Sequence, residues 1–241
     1  MNKVSLVDFH CHILPCVDDG SRSVEESLAM LEAEREQGVT HVVATPHFYP
    51  QYSSPESFLK KRYESEMLLR ERLSQSPELP DITMGAEVYF FRGISESNAI
   101  SGLTIGKNKY ILVEMPLPPW TESMYKELSD IYTKQGITPI IAHVDRYIGP
   151  FRSFGIPEKL EELPVLVQAN ASFFTRTATK RMALRMLKDS RIHLLGSDSH
   201  NTESRPPNLG DAASVIIDKM GERAITRINY YEQKVLFGTT R

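Results

Sequence analysis

Hydrophobic and polar positions along the chain fall into two alternating patterns. Short β-rich runs occur at 4–9 (VSLVDF), 41–45 (HVVAT), 82–88 (ITMGAEV), 110–115 (YILVEM), 138–143 (TPIIAH), 165–170 (VLVQAN) and 192–197 (IHLLGS). Several are continuously apolar, the pattern of strands buried on both faces. Helical stretches lie between them. One runs from Ser23, an N-cap residue, to Gln37, with Gly38 as its stop. A second opens on Ser54-Pro55-Glu56, a cap followed by proline at the first helical position, and repeats Leu59, Tyr63, Met67 and the Leu68/Leu69 pair at helical spacing. Further helices are predicted over 121–135, 177–189, 211–220 and 226–236. Strand–helix alternation implies a mainly parallel sheet. Seven such strands predict an α/β barrel, closed or nearly so, with an open doubly wound sheet as the alternative. No repeat, linker or low-complexity tract interrupts the pattern, which predicts one domain over residues 1–241.

Composition narrows the function classes. At 241 residues the chain can bury one sizeable core, and a formal charge of -3 leaves no overall basic footprint for nucleic acid. No run approaches the ~18 apolar residues of a membrane span, and Asp8, His10 and His12 break the first apolar stretch before it can read as a signal peptide. The only cysteines, Cys11 and Cys16, cannot build a disulfide framework. A cytoplasmic setting without membrane insertion is expected.

Chemistry enters with the histidines. His10, His12, His47, His143 and His200 fall at or just beyond the C-terminal ends of predicted strands, whereas His41 and His193 fall at strand beginnings and read as structural. In a parallel barrel the strand C-termini meet at one face, where such folds place their chemistry. Asp19, Glu87, Glu114 and Asp198 obey the same rule. His10 and His12, one residue apart on an extended strand, point the same way and can chelate one ion; Asp198 and His200 repeat that geometry. Nine candidate ligands exceed one coordination sphere, so two or three ions with a bridging carboxylate are expected. Imidazole and carboxylate without thiolate suit zinc, manganese or iron.

The segment VDFHCHILPCVDDGS resembles the opening motif of the PHP (polymerase and histidinol phosphatase) superfamily, in particular the manganese-dependent bacterial tyrosine phosphatases of capsule and exopolysaccharide clusters. The likeness continues through ATPH, GAEVYF, YILVEMP, IIAHVDRY, QANASFF and GSDSHN, across nearly the whole chain. It implies a distorted (β/α)7 TIM-like barrel and three divalent ions, with manganese favoured over iron or zinc. By the family pattern, His10, His12, Glu87 and Asp198 hold one ion; Glu87, Glu114 and His143 a second; Asp19, His47 and His200 a third. Arg146 and Arg205 match arginines that hold phosphate, and with Asp198 and His200 form the expected catalytic set. One departure is visible: Val-Asp-Arg-Tyr stands where Pro-Glu-Arg-Tyr is usual, which could shift the loop carrying Arg146. The resemblance implies hydrolysis of a phosphotyrosine-bearing protein, the tyrosine-rich tail of a membrane-associated kinase that controls polysaccharide export.

Competing readings remain. Phe90, Phe91, Arg92 and Trp120 either frame an aromatic ring or are ordinary loop and core residues. Cys16 and Arg22 satisfy the Cys-x5-Arg spacing of thiol phosphatases, but Asp18 and Asp19 inside that loop would repel a phosphate dianion. Cys11, flanked by two candidate ligands, points to the other side of its strand and reads as packing. A histidinol-phosphate phosphatase or other PHP phosphoesterase is the alternative within enzymes. Outside them stands a non-catalytic, metal-stabilised binding module, though such modules usually close each ion with four protein ligands.

Overall fold

The first strand, β1 (Leu6–Cys11), is buried along its whole length, as its apolar run demands. It belongs to a computed structural model that describes residues 5–106, 108–149 and 154–238; Val4, the start of the first expected strand, lies outside the described residues. β2 (Val39–Ala44) runs on into β3 (His47–Phe48), and β4 (Asp81–Met84) into β5 (Glu87–Tyr89). β6 (Tyr110–Glu114), β7 (Thr138–Ile141), β8 (Leu166–Asn170) and β9 (Leu194–Gly196) follow. The pairing orders are β1-β2-β4 and β3-β5-β6-β7-β8-β9, parallel throughout.

The two sheets are one curled surface. Gly85 N donates to Ala44 O and Glu87 N to Pro46 O, so the second and third expected strands stay paired through their breaks. At the seam, Asp198 N donates to His10 O at 2.7 Å and His12 N to Ser199 O at 2.9 Å. The last strand thus returns to the first, and the barrel expectation holds over the doubly wound alternative. Val7, Phe9, Val43, Leu112, Ile140 and Leu194 form a small cluster on the concave side. A larger cluster packs the helices against the outside.

The helices are α1 (Val24–Glu36), α2 (Pro55–Leu73), α3 (Glu122–Gln135), α4 (Ile156–Glu161), α5 (Ala171–Thr175), α6 (Lys180–Lys188), α7 (Leu209–Met220) and α8 (Glu222–Phe237). Ser23 and Ser54 cap α1 and α2 by accepting from the backbone N–H three residues on. α8 covers the strand beginnings: Val235 and Leu236 join the concave cluster, and Asn108 Nδ2 donates to Leu236 O. The opposite end, where strands finish, is left for chemistry. Among the described residues no helix is long and apolar enough to cross a membrane.

Several expectations are corrected. The run 82–88 breaks at Gly85–Ala86 into two strands. The helix expected over 177–189 begins only at Lys180, because Thr179 turns back to bond Phe173 O. α4 and α5 were not foreseen, being too short to show periodicity. On α2 the buried face is Phe58, Ser65 and Leu69, while Tyr63, Met67 and Leu68 are exposed. Polar bonds set that face: Ser65 Oγ donates to Pro15 O, and Arg62 Nη1 to Gly85 O.

Candidate metal centre

All nine expected ligands meet at the mouth formed by the strand ends. His10 Nε2 lies 3.1 Å from Glu87 Oε2 and 3.6 Å from Asp198 Oδ1; His12 Nε2 lies 3.4 and 3.6 Å from the same atoms. Their strand geometry explains this: both histidines extend from β1, Glu87 opens β5, and Asp198 follows β9. His143 Nε2 is 2.7 Å from Glu87 Oε1 and 3.7 Å from Glu114 Oε1, so Glu87 touches two groups. Asp19 Oδ1 stands 3.5 Å from both His47 Nε2 and His200 Nε2. The three groups overlap more than the expected partition. His12 also clusters with Asp19, His47 and His200, and His47 with Glu87 and Glu114.

The residues fit divalent cations. Asp18 Oδ2 lies 2.7 Å from His12 Nδ1, Gln168 Oε1 lies 3.3 Å from His10 Nδ1, and the carbonyl oxygen of Asp198 lies 3.1 Å from His200 Nδ1. Each oxygen is an acceptor, so each Nδ1 carries the hydrogen and each Nε2 presents its lone pair inward. His200 Nε2 and Glu87 Oε2 are buried without a hydrogen bond. Lone pairs converging in a dry place need a proton or a cation between them. Burial alone would lower the His10 and His12 imidazoles, but the neighbouring carboxylates, Glu87 and Asp198 at His10 and Asp18 first at His12, raise both. Burial would raise Glu87, and the histidines hold it well below the usual carboxylate range. His200 is pushed down to about 4 by burial, then by His12 and Arg205.

Backbone strain marks two of these positions. His143 (φ 31°) and Asp198 (φ 56°) adopt the left-handed region, which costs a β-carbon residue roughly 1–2 kcal/mol. Val144 is buried in the one-turn helix that follows His143, and Asp145 Oδ1 accepts from Asn170 N. That turn carries Arg146 inward despite the missing proline. Arg146 Nη2 meets Asp198 Oδ2 at 2.5 Å, and Arg205 Nη2 meets Asp198 Oδ1 at 2.7 Å. Both arginines line a polar cavity of about 240 Å3 beside the ligands.

The sequence profile of the family described as "Capsular polysaccharide synthesis, CpsB/CapC" matches residues 6–237. The chain belongs to this family. It is 27% identical over 230 residues to tyrosine-protein phosphatase CpsB of Streptococcus agalactiae, covering 91% of this chain and 93% of that protein. It is 29% identical over 228 residues to the Streptococcus pneumoniae protein of the same name, covering 90% and 92%. Among solved structures it is similar to a chain from the crystal structures of YwqE from Bacillus subtilis and CpsB from Streptococcus pneumoniae, described as metal-dependent tyrosine phosphatases. That match has a TM-score of 0.82 over 98% of this chain and 96% of the other, at 24% identity. It supports the CpsB/CapC fold seen here.

In this CpsB/CapC chain the remaining expectations sort themselves. His41 Nε2 bonds Thr83 Oγ1 and His193 Nδ1 accepts from Val167 N, so both are structural. Trp120 is buried, with its indole N–H on Pro116 O, and Phe90 and Phe91 pack partly against the core. Two tyrosines lie beside the candidate ligands instead: Tyr49, stacked on His47 at 5.0 Å with its hydroxyl 3.2 Å from His47 Nδ1, and Tyr147, 5.6 Å from the His143 ring. In the Cys16 loop four amides are already bonded: Cys16 N donates to Ser21 O, Gly20 N to Asp18 Oδ1, Ser21 N to His12 O, and Arg22 N to Glu26 Oε2. Cys11 is buried in the outer core with Sγ 3.0 Å from Ser199 Oγ. Sequence reasoning missed Gln168 and Asn170, and saw Asp18 only as a charge in its loop, without its bond to His12. Asn170 Nδ2 donates to Asp198 Oδ2, and Gln168 Oε1 accepts from His143 N. A signal existed: two polar side chains two apart on a buried strand must find partners.

Proposed function

We propose that this chain is a metal-dependent protein-tyrosine phosphatase acting, as one domain, on a phosphotyrosine-bearing protein. The observation that carries the reading is the meeting of nine imidazole and carboxylate ligands with two guanidinium groups at one open mouth. The names of the relatives point the same way. Bound divalent cations supply water activation and charge for the phosphate oxygens. His10, His12, Glu87 and Asp198 would hold one, Glu87, Glu114 and His143 a second, and Asp19, His47 and His200 a third. Manganese is the ion we favour, with iron or zinc as alternatives.

The chain's own residues do the rest. Asp18, Gln168 and Asn170 fix the orientation of the ligands through the bonds given above, so little reorganisation accompanies the reaction. Arg146 and Arg205 rest on Asp198 and can turn a guanidinium fork toward phosphate oxygens that take its place. A tyrosine leaving group, with a parent pKa near ~10, needs less protonation than an alkoxide would. The protein substrate we favour is the tyrosine-rich tail of a membrane-associated kinase controlling polysaccharide export, met in the cytoplasm. One preparation assayed with phosphotyrosyl peptide, histidinol phosphate and single-stranded DNA, with and without manganese, tests this. Preference for histidinol phosphate would overturn it.

A further inference from the structure

The cavity beside the ligands contains more positive charge than the hydrolysis of one phosphate uses. Arg146, Arg176 and Arg205 all line it, together with Ser172, Ser204 and Asn208. Arg146 bonds Asp198 and approaches Glu114, and Arg205 bonds Asp198. Arg176, at the C-terminal end of α5, is exposed and has no carboxylate partner among the described residues. The chain as a whole carries a formal charge of -3, so a third guanidinium here does not reflect a generally basic surface.

The walls are also preorganised. Asn201 Oδ1 accepts backbone N–H bonds from Glu203, Ser204 and Arg205, which fixes the loop on the Arg205 side. On the opposite side Thr179 Oγ1 donates to Phe173 O and Arg176 N to Ser172 O, which fixes the end of α5. Asn208, the residue before α7, makes no capping bond, and its Oδ1 is buried without a partner. Asn208 also lines the cavity, where its side-chain amide can offer N–H donors to an anion. The cavity's other carboxylate, Asp145, is occupied by Asn170 N.

We propose that Arg176 and Asn208 form a second anion subsite adjoining the Arg146/Arg205 pair, for an acidic group next to the phosphotyrosine on the same peptide. The inference rests on the phosphatase reading above. A phosphate between Arg146 and Arg205 leaves Arg176 for a neighbouring side chain in the same cavity, and a carboxylate or a second phosphate offers it the same acceptor oxygens. The site then selects among peptides rather than adding to the chemistry.

The test compares kcat/KM for three phosphotyrosyl peptides that differ only beside the phosphotyrosine: glutamine, glutamate or a second phosphotyrosine. The manganese-loaded wild-type protein should prefer the acidic peptides over the glutamine peptide about three- to fivefold, the scale of one partly exposed ion pair, mostly through KM. In Arg176→Ala that ratio should fall to about one, in Arg176→Lys part of it should return, and in Arg176→Glu it should invert. The glutamate and doubly phosphorylated peptides separate a preference for carboxylate from one for phosphate, and either supports the subsite. Turnover of all three peptides at equal rates in the wild type, or a preference unchanged in Arg176→Ala, overturns the subsite alone. Hydrolysis of none of the peptides, with histidinol phosphate still turned over, overturns the tyrosine phosphatase reading and the subsite with it.

Discussion

His10 and His12 hold their Nε2 atoms 3.1 Å apart, each with its other ring nitrogen facing an acceptor oxygen. Two lone pairs at that distance repel unless something positive joins them, and protons compete with divalent ions for the place. Chelator should abolish hydrolysis of an aryl phosphate, and manganese should restore it. The carboxylates beside these rings raise both imidazoles, so protons are held to higher pH than on a free histidine. As the pH drops, affinity for the ion should therefore begin to fall above the ordinary histidine range and go on falling through it. Elemental analysis alongside rate measurements checks both statements, and full activity in thoroughly demetallated protein would sink them.

The two chemistries suggested by the sequence separate on single substitutions. Cys16→Ser should change turnover by less than about twofold, because the Cys16 thiol donates to Arg22 O and the carboxylates of Asp18 and Asp19 share its loop. Glu87→Ala or His143→Ala should cost at least about a hundredfold, since several kcal/mol of charge stabilisation leave with the ion. Loss of activity in Cys16→Ser with fold and metal intact would reverse the assignment.

Removing either arginine proposed to hold phosphate should have two separable effects. Arg146→Ala or Arg205→Ala should cost about 2–4 kcal/mol of transition-state stabilisation. Because both guanidinium groups bond Asp198, each substitution also leaves that carboxylate freer for a cation. Metal content should hold or rise while kcat/KM falls, and Lys replacements should recover only part of the rate. Variants losing less than about twofold would place the arginines outside the reaction.

Glu34 makes a prediction about stability. It is fully buried on α1, neither of its carboxylate oxygens is hydrogen-bonded, and the unpaired Asp8 Oδ2 belongs to the same buried group. Burial, then Asp8, pushes the Glu34 carboxyl well above the usual range. The folded chain therefore binds this proton more tightly than the unfolded one, and stability is lost as the pH rises from about 4.3 toward the raised value. Glu34→Gln should stabilise the fold by about 1–3 kcal/mol at neutral pH, with the gain shrinking toward acid. Urea titrations from about pH 5 to pH 9 would show it; parallel curves for the two proteins would refute it.

Gly20 has a steric reason to be glycine. A Cβ there would stand 2.2 Å from His12 O and 2.5 Å from His12 Cβ, in backbone that cannot yield. Gly20→Ala should cost about 1–3 kcal/mol and lower metal content by displacing Asp18 and Asp19. Unchanged melting and unchanged metal content would contradict it.

The convergence of the candidate ligands was legible because barrel topology turns strand order into position: a histidine or carboxylate just past a strand's C-terminal end must arrive at the same face. The bonds that orient them were hidden. Asp18 and Asp19 are neighbours in one loop, yet Asp18 bonds His12 while the side chain of Asp19 stays 68% exposed beside His47. That difference depends on the Cys16–Ser21 turn, which has no period to read. α2 misled for the opposite reason: its apolar spacing was clear, but Arg62 and Ser65 bond across the interface and rotate Tyr63 and Met67 outward.

The seam between β1 and β9 sets when the centre can exist at all. His10 and His12 come from the first strand and Asp198 and His200 from just past the last, and Asp198 N bonds His10 O across the join. A chain emerging from the ribosome has four of its ligands divided between its two ends, so it can hold no complete centre until nearly all of it has been made. Loop closure over this span is entropically costly, and an ion bound by both ends repays it only in the finished fold. On the proposed metal-dependent reading, occupancy would be a clasp on the barrel. Hydrogen exchange in demetallated protein should quicken first at Asp198 and His12, whose amides close that join.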